Sequence, residues 1–147
     1  MSEVSVNRLE QYSEADAAGL GRLARFLSEK FDGNPINKEF LEEIIRSPYH
    51  DLLIARIENR IVGAATLNIL MGAAAGKIGY LEDFVTDPNV RRQGIGGKIW
   101  DEIVIWCKQH DVDLEFTSKP SREDAHRFYL ARGATIRETT VFHVDVD

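Results

Sequence analysis

The sequence predicts an α+β (mixed α/β) fold, with about seven strands and four helices around a single sheet. Three observations carry this expectation. Segments of period-two or continuous apolar residues outnumber segments of helical period, and the two kinds are mixed along the chain. The 147 residues suit one domain, taken as 1–147, and no repeat, low-complexity tract or linker divides them. Near the middle, an apolar strand-like run at 78–86 turns on glycines and enters an apolar-periodic helix.

Residues 4–9 alternate apolar and polar and read as the first strand. Ser13 and Asp16 resemble a capping box, with Asp in place of the usual Glu. Behind them Leu20, Leu23, Ala24, Leu27 and Phe31 share one helical face, and Asp32-Gly33-Asn34-Pro35 breaks the helix. A second helix is expected over 37–46, with Phe40, Leu41, Ile44 and Ile45 as its stripe. Ser47-Pro48 ends it, because a residue before proline avoids the helical region. Residues 51–57 and 61–70 flank the turn Glu58-Asn59-Arg60 as a hairpin. The small-residue segment 71–76 is expected to be a mobile loop. Residues 77–86 form the fourth strand. The next helix starts near Ile95 and runs to about His110, with Ile95, Ile99, Ile103, Trp106 and Cys107 on one face. Residues 112–117 are a fifth strand. Ser121 is expected to cap a helix over 122–132, with Gly133 as its C′ residue. Residues 135–137 and 140–146 are expected to close the sheet as two more strands.

Composition narrows the function classes. A net charge of −6 argues against a general nucleic-acid binder. The single cysteine, Cys107, excludes an internal disulfide and a thiolate-rich metal site. His50, His110, His126 and His143 show no metal-ligand spacing, so no metal is expected. Met-Ser-Glu-Val opens the chain without a basic and then apolar run, so no signal peptide is expected. No apolar stretch approaches about 18 residues, so no membrane span is expected either. The expected setting is cytoplasmic.

The most informative stretch is Arg91-Arg92-Gln93-Gly94-Ile95-Gly96-Gly97-Lys98. A strand that turns on glycines into a helix presents bare N–H groups and the positive end of a helix dipole, which suit a phosphate. The flanking arginines and lysine add positive charge. A Walker loop fails here, because Arg92 stands where its first glycine belongs and Ile99 follows Gly97-Lys98. A dinucleotide fingerprint also fails, because Ile99 occupies its third glycine position. On residues alone, a diphosphate cradle and a ligand-free helix start both remain open.

Wider context adds a resemblance. The run Tyr80-Leu81-Glu82-Asp83-Phe84-Val85-Thr86-Asp87-Pro88-Asn89-Val90-Arg91-Arg92-Gln93-Gly94-Ile95-Gly96 resembles motif A of the GCN5-related N-acetyltransferase (GNAT) superfamily. Downstream, Ala125-His126-Arg127-Phe128-Tyr129-Leu130-Ala131-Arg132-Gly133-Ala134 resembles its motif B. The resemblance implies a mostly antiparallel central sheet, acyl-CoA N-acyltransferase-like, with splayed fourth and fifth strands. It implies acetyl-coenzyme A as co-substrate, its pyrophosphate on Arg91, Arg92, Gln93, Gly94, Ile95, Gly96, Gly97 and Lys98. It also implies that the main chain of Phe84, Val85 and Thr86 lies along the pantetheine arm, with an oxyanion donor near Phe84. Arg122 stands where an Asn often contacts the coenzyme, which puts that contact in doubt. Ala134 and Thr86 replace a usual Phe and Val. Family members are often dimers, so a homodimer stays open.

Transfer of acetyl from a thioester to an amine needs a neutral amine, donors for the oxyanion and a proton or hydrogen bond for the leaving thiolate. By motif position Tyr129 would serve the thiolate; packing beside Phe128 is its alternative. Glu82 and Asp83 are candidates for the base, since carboxylates are unusual within an apolar strand. A structural ion pair is the alternative. Adjacent on a strand, they should point to opposite faces, and Glu82 is preferred. Phe26 and Phe31 lie where the superfamily builds acceptor specificity. Cys107, Trp100 and Trp106 read as packing. The expected activity is acetyl transfer to a primary amine of a small molecule in a ternary complex. Acetylation of a protein or peptide amine, or a non-catalytic acyl-CoA-binding module, are the alternatives.

Overall fold

The computed structural model describes residues 3–90 and 93–147. They gather into two compact units, one ending at Phe116 and the other covering Thr117–Asp147.

In the first unit the order is β1 (Val4–Arg8), α1 (Glu14–Leu27), α2 (Lys38–Arg46), β2 (His50–Ile57), β3 (Arg60–Gly72), β4 (Gly76–Thr86), α3 (Ile95–His110) and β5 (Leu114–Glu115). The strands form one sheet in sequence order. The first four run antiparallel, and β5 joins β4 in parallel after the α3 crossover. Such a crossover is what a parallel neighbour requires.

Both faces of the sheet are covered, which is why β2 and β3 carry near-continuous apolar runs rather than simple alternation. On one face Leu53, Ala55, Ala65, Leu67 and Leu81 pack against Ile95, Ile99, Ile103 and Trp106 of α3. On the other, Leu52, Ile54, Ala64 and Val85 pack against Ala17 and Leu23 of α1 and Leu41 of α2. The helix starts are fixed locally. Ser13 Oγ accepts from the Asp16 N–H at 3.1 Å, and Asn37 Oδ1 accepts from the Phe40 N–H at 2.9 Å.

The second unit holds α4 (Glu123–Ala131). Gly133, at φ +92, is its C′ residue as expected. The Gly133 N–H donates to Leu130 O and the Ala134 N–H to Tyr129 O, which is the Schellman arrangement. Ser121 is not the cap; Arg122 occupies the N-cap position and makes no side-chain cap bond.

Several expectations are corrected. The sheet has five strands among the described residues, not about seven. Residues 135–147 carry no strand, and Ile136, Val141, Phe142, Val144 and Val146 are exposed. Alternation supplies a side-chain pattern, but a strand exists only where a partner completes its ladder. The fifth strand shrinks to Leu114–Glu115. The segment 71–76 is not a mobile loop but the tip of a hairpin, with Gly72 in register with Gly76 and Gly76 at φ +77. Helix α1 ends at Leu27, so Phe31 lies beyond its apolar face.

Candidate active site

The site is organised by an irregularity in β4. The β3–β4 register pairs Thr66 with Glu82 and Ala64 with Val85, so β4 carries an extra residue between these rungs. Asp83 takes up the excess at φ +52, a conformation that Asp tolerates better than most residues. The face alternation breaks as a result. Leu81 and Phe84, three residues apart, both belong to the cluster on the α3 side, and Val85 packs on the α1/α2 side. Regular alternation therefore stops at Glu82, because the bulge removes the period of two.

Glu82 shares the α1/α2 side with Thr66 and with Leu52, its neighbours across the sheet. Its Oε2 accepts a hydrogen bond from Asn68 Nδ2 at 3.2 Å. The same nitrogen lies 3.4 Å from Tyr80 O. Asn68 is 5% exposed. In register it falls between His50 of β2 and Tyr80 of β4, which makes a polar row across an otherwise apolar sheet. His50 is fixed in turn by a 2.7 Å bond between Nδ1 and Ser47 Oγ. Asp83 reaches solvent, but crowding by protein atoms desolvates its carboxyl and raises its pKa, with the positive charge of Lys30 opposing. The side beside α1 thus carries a carboxylate braced by a buried amide, and the next residue in sequence, Asp83, has a carboxyl of raised proton affinity.

Beyond this point the sheet opens. β5 pairs with β4 only at Gly79–Leu114 and Tyr80–Glu115, so the ladder ends just before Glu82. On the α3 side of the opening, Trp100 stacks on Phe84 at 6.5 Å and meets Phe116 edge-on at 6.0 Å. The packing role expected for Trp106 holds: it is buried, and its Nε1 donates to Asp51 Oδ2 at 2.7 Å.

The end of β4 is anchored at Asp87. Its side chain is fully buried and accepts from Arg22 Nη1 at 2.8 Å and from the Asn89 N–H at 2.9 Å, with Arg60 at 3.6 Å. Arg22 also donates to Ile61 O at 2.7 Å. Burial alone would raise the Asp87 pKa. The Arg22 and Asn89 hydrogen bonds and the charges of Arg22 and Arg60 instead bring it below the usual carboxylate value. After this anchor α3 begins. Its N-cap Gly94 lies at φ +68 and supplies no side-chain bond. The N–H groups of the first turn have no acceptor within the helix. A Cβ on Gly94 would meet nothing within 4 Å among the described residues. These features fit a diphosphate.

The family model described as Acetyltransferase (GNAT) family matches residues 20–134. The chain belongs to this family. Among its relatives, mycothiol acetyltransferase of Kytococcus sedentarius is 28% identical over 129 residues, 87% of this chain, which spans 39% of that protein's length. Aminoglycoside N(6')-acetyltransferase type 1 of Serratia marcescens is 26% identical over 109 residues, 70% of this chain and 75% of that protein. An aminoglycoside acetyltransferase from an uncultured soil metagenomic sample, solved in complex with sisomicin, matches with a TM-score of 0.83 at 22% identity, over 98% of this chain and 97% of that one. A transcriptional regulator from Bacillus halodurans C-125 matches with a TM-score of 0.81 at 21% identity, over 97% and 100% of the two chains. At these identities the structural likenesses speak to the fold alone.

Against the GNAT pattern, the structure brings Glu82, Asp83, Phe84, Val85 and Thr86 together on β4 and Ile95, Gly96, Gly97 and Lys98 at the start of α3. Gln93 and Gly94 precede that start, and Arg91 and Arg92 lie outside the described residues. The side chains of Val85 and Ile95 are buried in the core, so only their main chain is available to a ligand. Phe26 and Phe31 are partly exposed at the end of α1 and just after it. Tyr129 and Arg122 belong to the second unit. Burial raises the Tyr129 pKa, with Arg122 opposing. The reading of the sequence missed Asn68, Asp87 and Arg22. For Asn68 a signal existed, as a polar residue interrupting the apolar run 61–70. For the Arg22–Asp87 pair, 65 residues apart, there was none.

Proposed function

We propose that this chain transfers the acetyl group of acetyl-coenzyme A to a primary amine of a small cationic acceptor, of the amino-sugar kind that its aminoglycoside acetyltransferase relatives are named for. The observation that carries the reading is the Glu82–Asp83 pair at the bulge, where the β4–β5 ladder ends and a few residues before the uncapped start of α3. The helix start receives the diphosphate, and the opening between β4 and β5 admits the pantetheine arm beside Phe84, Val85 and Thr86. Glu82 takes the proton of the acceptor ammonium, directly or through water. The amine nitrogen then attacks the thioester carbon, the C–N bond forms, the nitrogen loses its second proton to water, and the C–S bond breaks as the tetrahedral intermediate collapses. Tyr129, assigned from its place in the second motif, gives a proton or hydrogen bond to the departing thiolate. No nucleophile of the chain and no metal takes part in this scheme, because the thioester is already activated. Asp83 adds negative charge that favours a cationic acceptor.

The test is thiol release from acetyl-coenzyme A with a panel of amino acids, polyamines, amino sugars, peptides and sisomicin. Glu82→Gln and Tyr129→Phe are each expected to lower kcat about 100-fold or more. Calorimetric affinity for acetyl-coenzyme A should stay within a few-fold. Turnover unchanged in both variants, or no turnover with any amine alongside intact coenzyme binding, would overturn the reading.

A further inference from the structure

We propose that Asn68 is a positioning residue for Glu82: its buried side-chain amide fixes the orientation of the carboxylate that receives the acceptor's proton. The inference rests on the reading of Glu82 as base. An amide in the middle of a central strand is costly to bury unless its hydrogens are used. Here Nδ2 faces Glu82 Oε2 at 3.2 Å and Tyr80 O at 3.4 Å, both on β4 and on either side of Leu81. The two contacts fix the amide against the strand, and the amide in turn holds one oxygen of Glu82. The other oxygen is left to face the acceptor or a water.

The type of donor matters as well. Arginine or lysine at this position would form an ion pair and cancel the charge that the base needs. A neutral amide orients a carboxylate and leaves it negative. The next rung on this side carries Leu52, Thr66 and Glu82, so Thr66 is the polar neighbour across the strand from the carboxylate. Of the titratable groups in the neighbouring register positions, His50 is bonded to Ser47. Asn68 therefore ties the Glu82 carboxylate of β4 to the neighbouring strand β3.

The test pairs NMR with kinetics. In the 15N spectrum, the Asn68 side-chain protons of the unaltered protein should exchange slowly and shift when Glu82→Gln is introduced. With sisomicin as acceptor, Asn68→Leu, which keeps the size and loses the donor without adding charge, should lower kcat about 10- to 100-fold, the range for a hydrogen bond to a charged group. KM for acetyl-coenzyme A should stay within about twofold. Asn68→Ala should behave alike, and the Ala variant serves if Leu does not fold. Neither change should slow Glu82→Gln further. Side-chain resonances indifferent to Glu82→Gln, or losses that add in the double variant, would overturn the proposal. If Glu82→Gln retains full turnover, the base assignment fails and this inference with it. If sisomicin is not acetylated, the acceptor class fails, and the NMR result alone decides whether Asn68 holds Glu82.

Discussion

Asp87 is a charge buried to completion, and its partners make that possible: one guanidinium at 2.8 Å, a second at 3.6 Å and one peptide N–H at 2.9 Å. Removing the charge leaves Arg22 bonded only to Ile61 O. Asp87→Asn should cost about 2–3 kcal/mol at neutral pH, measured by urea unfolding. The pH dependence follows from the lowered pKa. The stabilisation is fully present above the ordinary aspartate value of about 3.9 and is lost as pH falls through the lower folded-state value. The variant should therefore lose less stability than the unaltered chain as the solution is acidified below about pH 4. Gly21 is the steric counterpart. A Cβ there would stand 2.0 Å from Asn34 O, a backbone atom that cannot swing aside. Gly21→Ala should destabilise by about 2 kcal/mol or more and separate α1 from the segment around Pro35. At this scale the sequence was partly legible. Two carboxylates inside an apolar strand marked Glu82 and Asp83, but nothing local told that Asn68 would face one of them, since that depends on register.

Among the elements, β4 and α3 carry the candidate site, and both depart from regularity there. The bulge at Asp83 turns Phe84 toward Trp100 and leaves Glu82 on the side of Asn68. Period-two reading could not anticipate this, because a single extra residue moves every later side chain to the other face. The start of α3 was legible, because glycine in the left-handed region is a local property of the chain. Gly94→Ala should cost about 1 kcal/mol, from φ +68 rather than from any clash. It should also weaken acetyl-coenzyme A binding in calorimetry, and unaltered affinity would argue against a diphosphate at this turn. The α3 stripe was read correctly: Ile99 and Ile103 are fully buried. Ile103→Ala should lose about 2–5 kcal/mol in chemical unfolding, because it opens a cavity between helix and sheet.

Across the whole molecule, stability should be graded. Strands β2 and β3 are paired on both sides for much of their length and covered on both faces. Residues 135–147 have no ladder. Hydrogen exchange should therefore be slowest at Leu53, Ala55, Ala65 and Leu67 and fastest over 135–147. Strong protection at Phe142 or Val144 would reveal a strand partner for that segment. No helix among the described residues is long and apolar enough to cross a membrane. The sequence by itself determined the helices, the first four strands, the glycine turn and the motif that marks the family, because caps, periodicity and backbone freedom act over a few residues. Only the tertiary structure decided which strands found partners, where β4 bulged, that Asn68 met Glu82 and that Arg22 reached Asp87. Those depend on register and on packing between segments far apart in the chain, which no local pattern encodes.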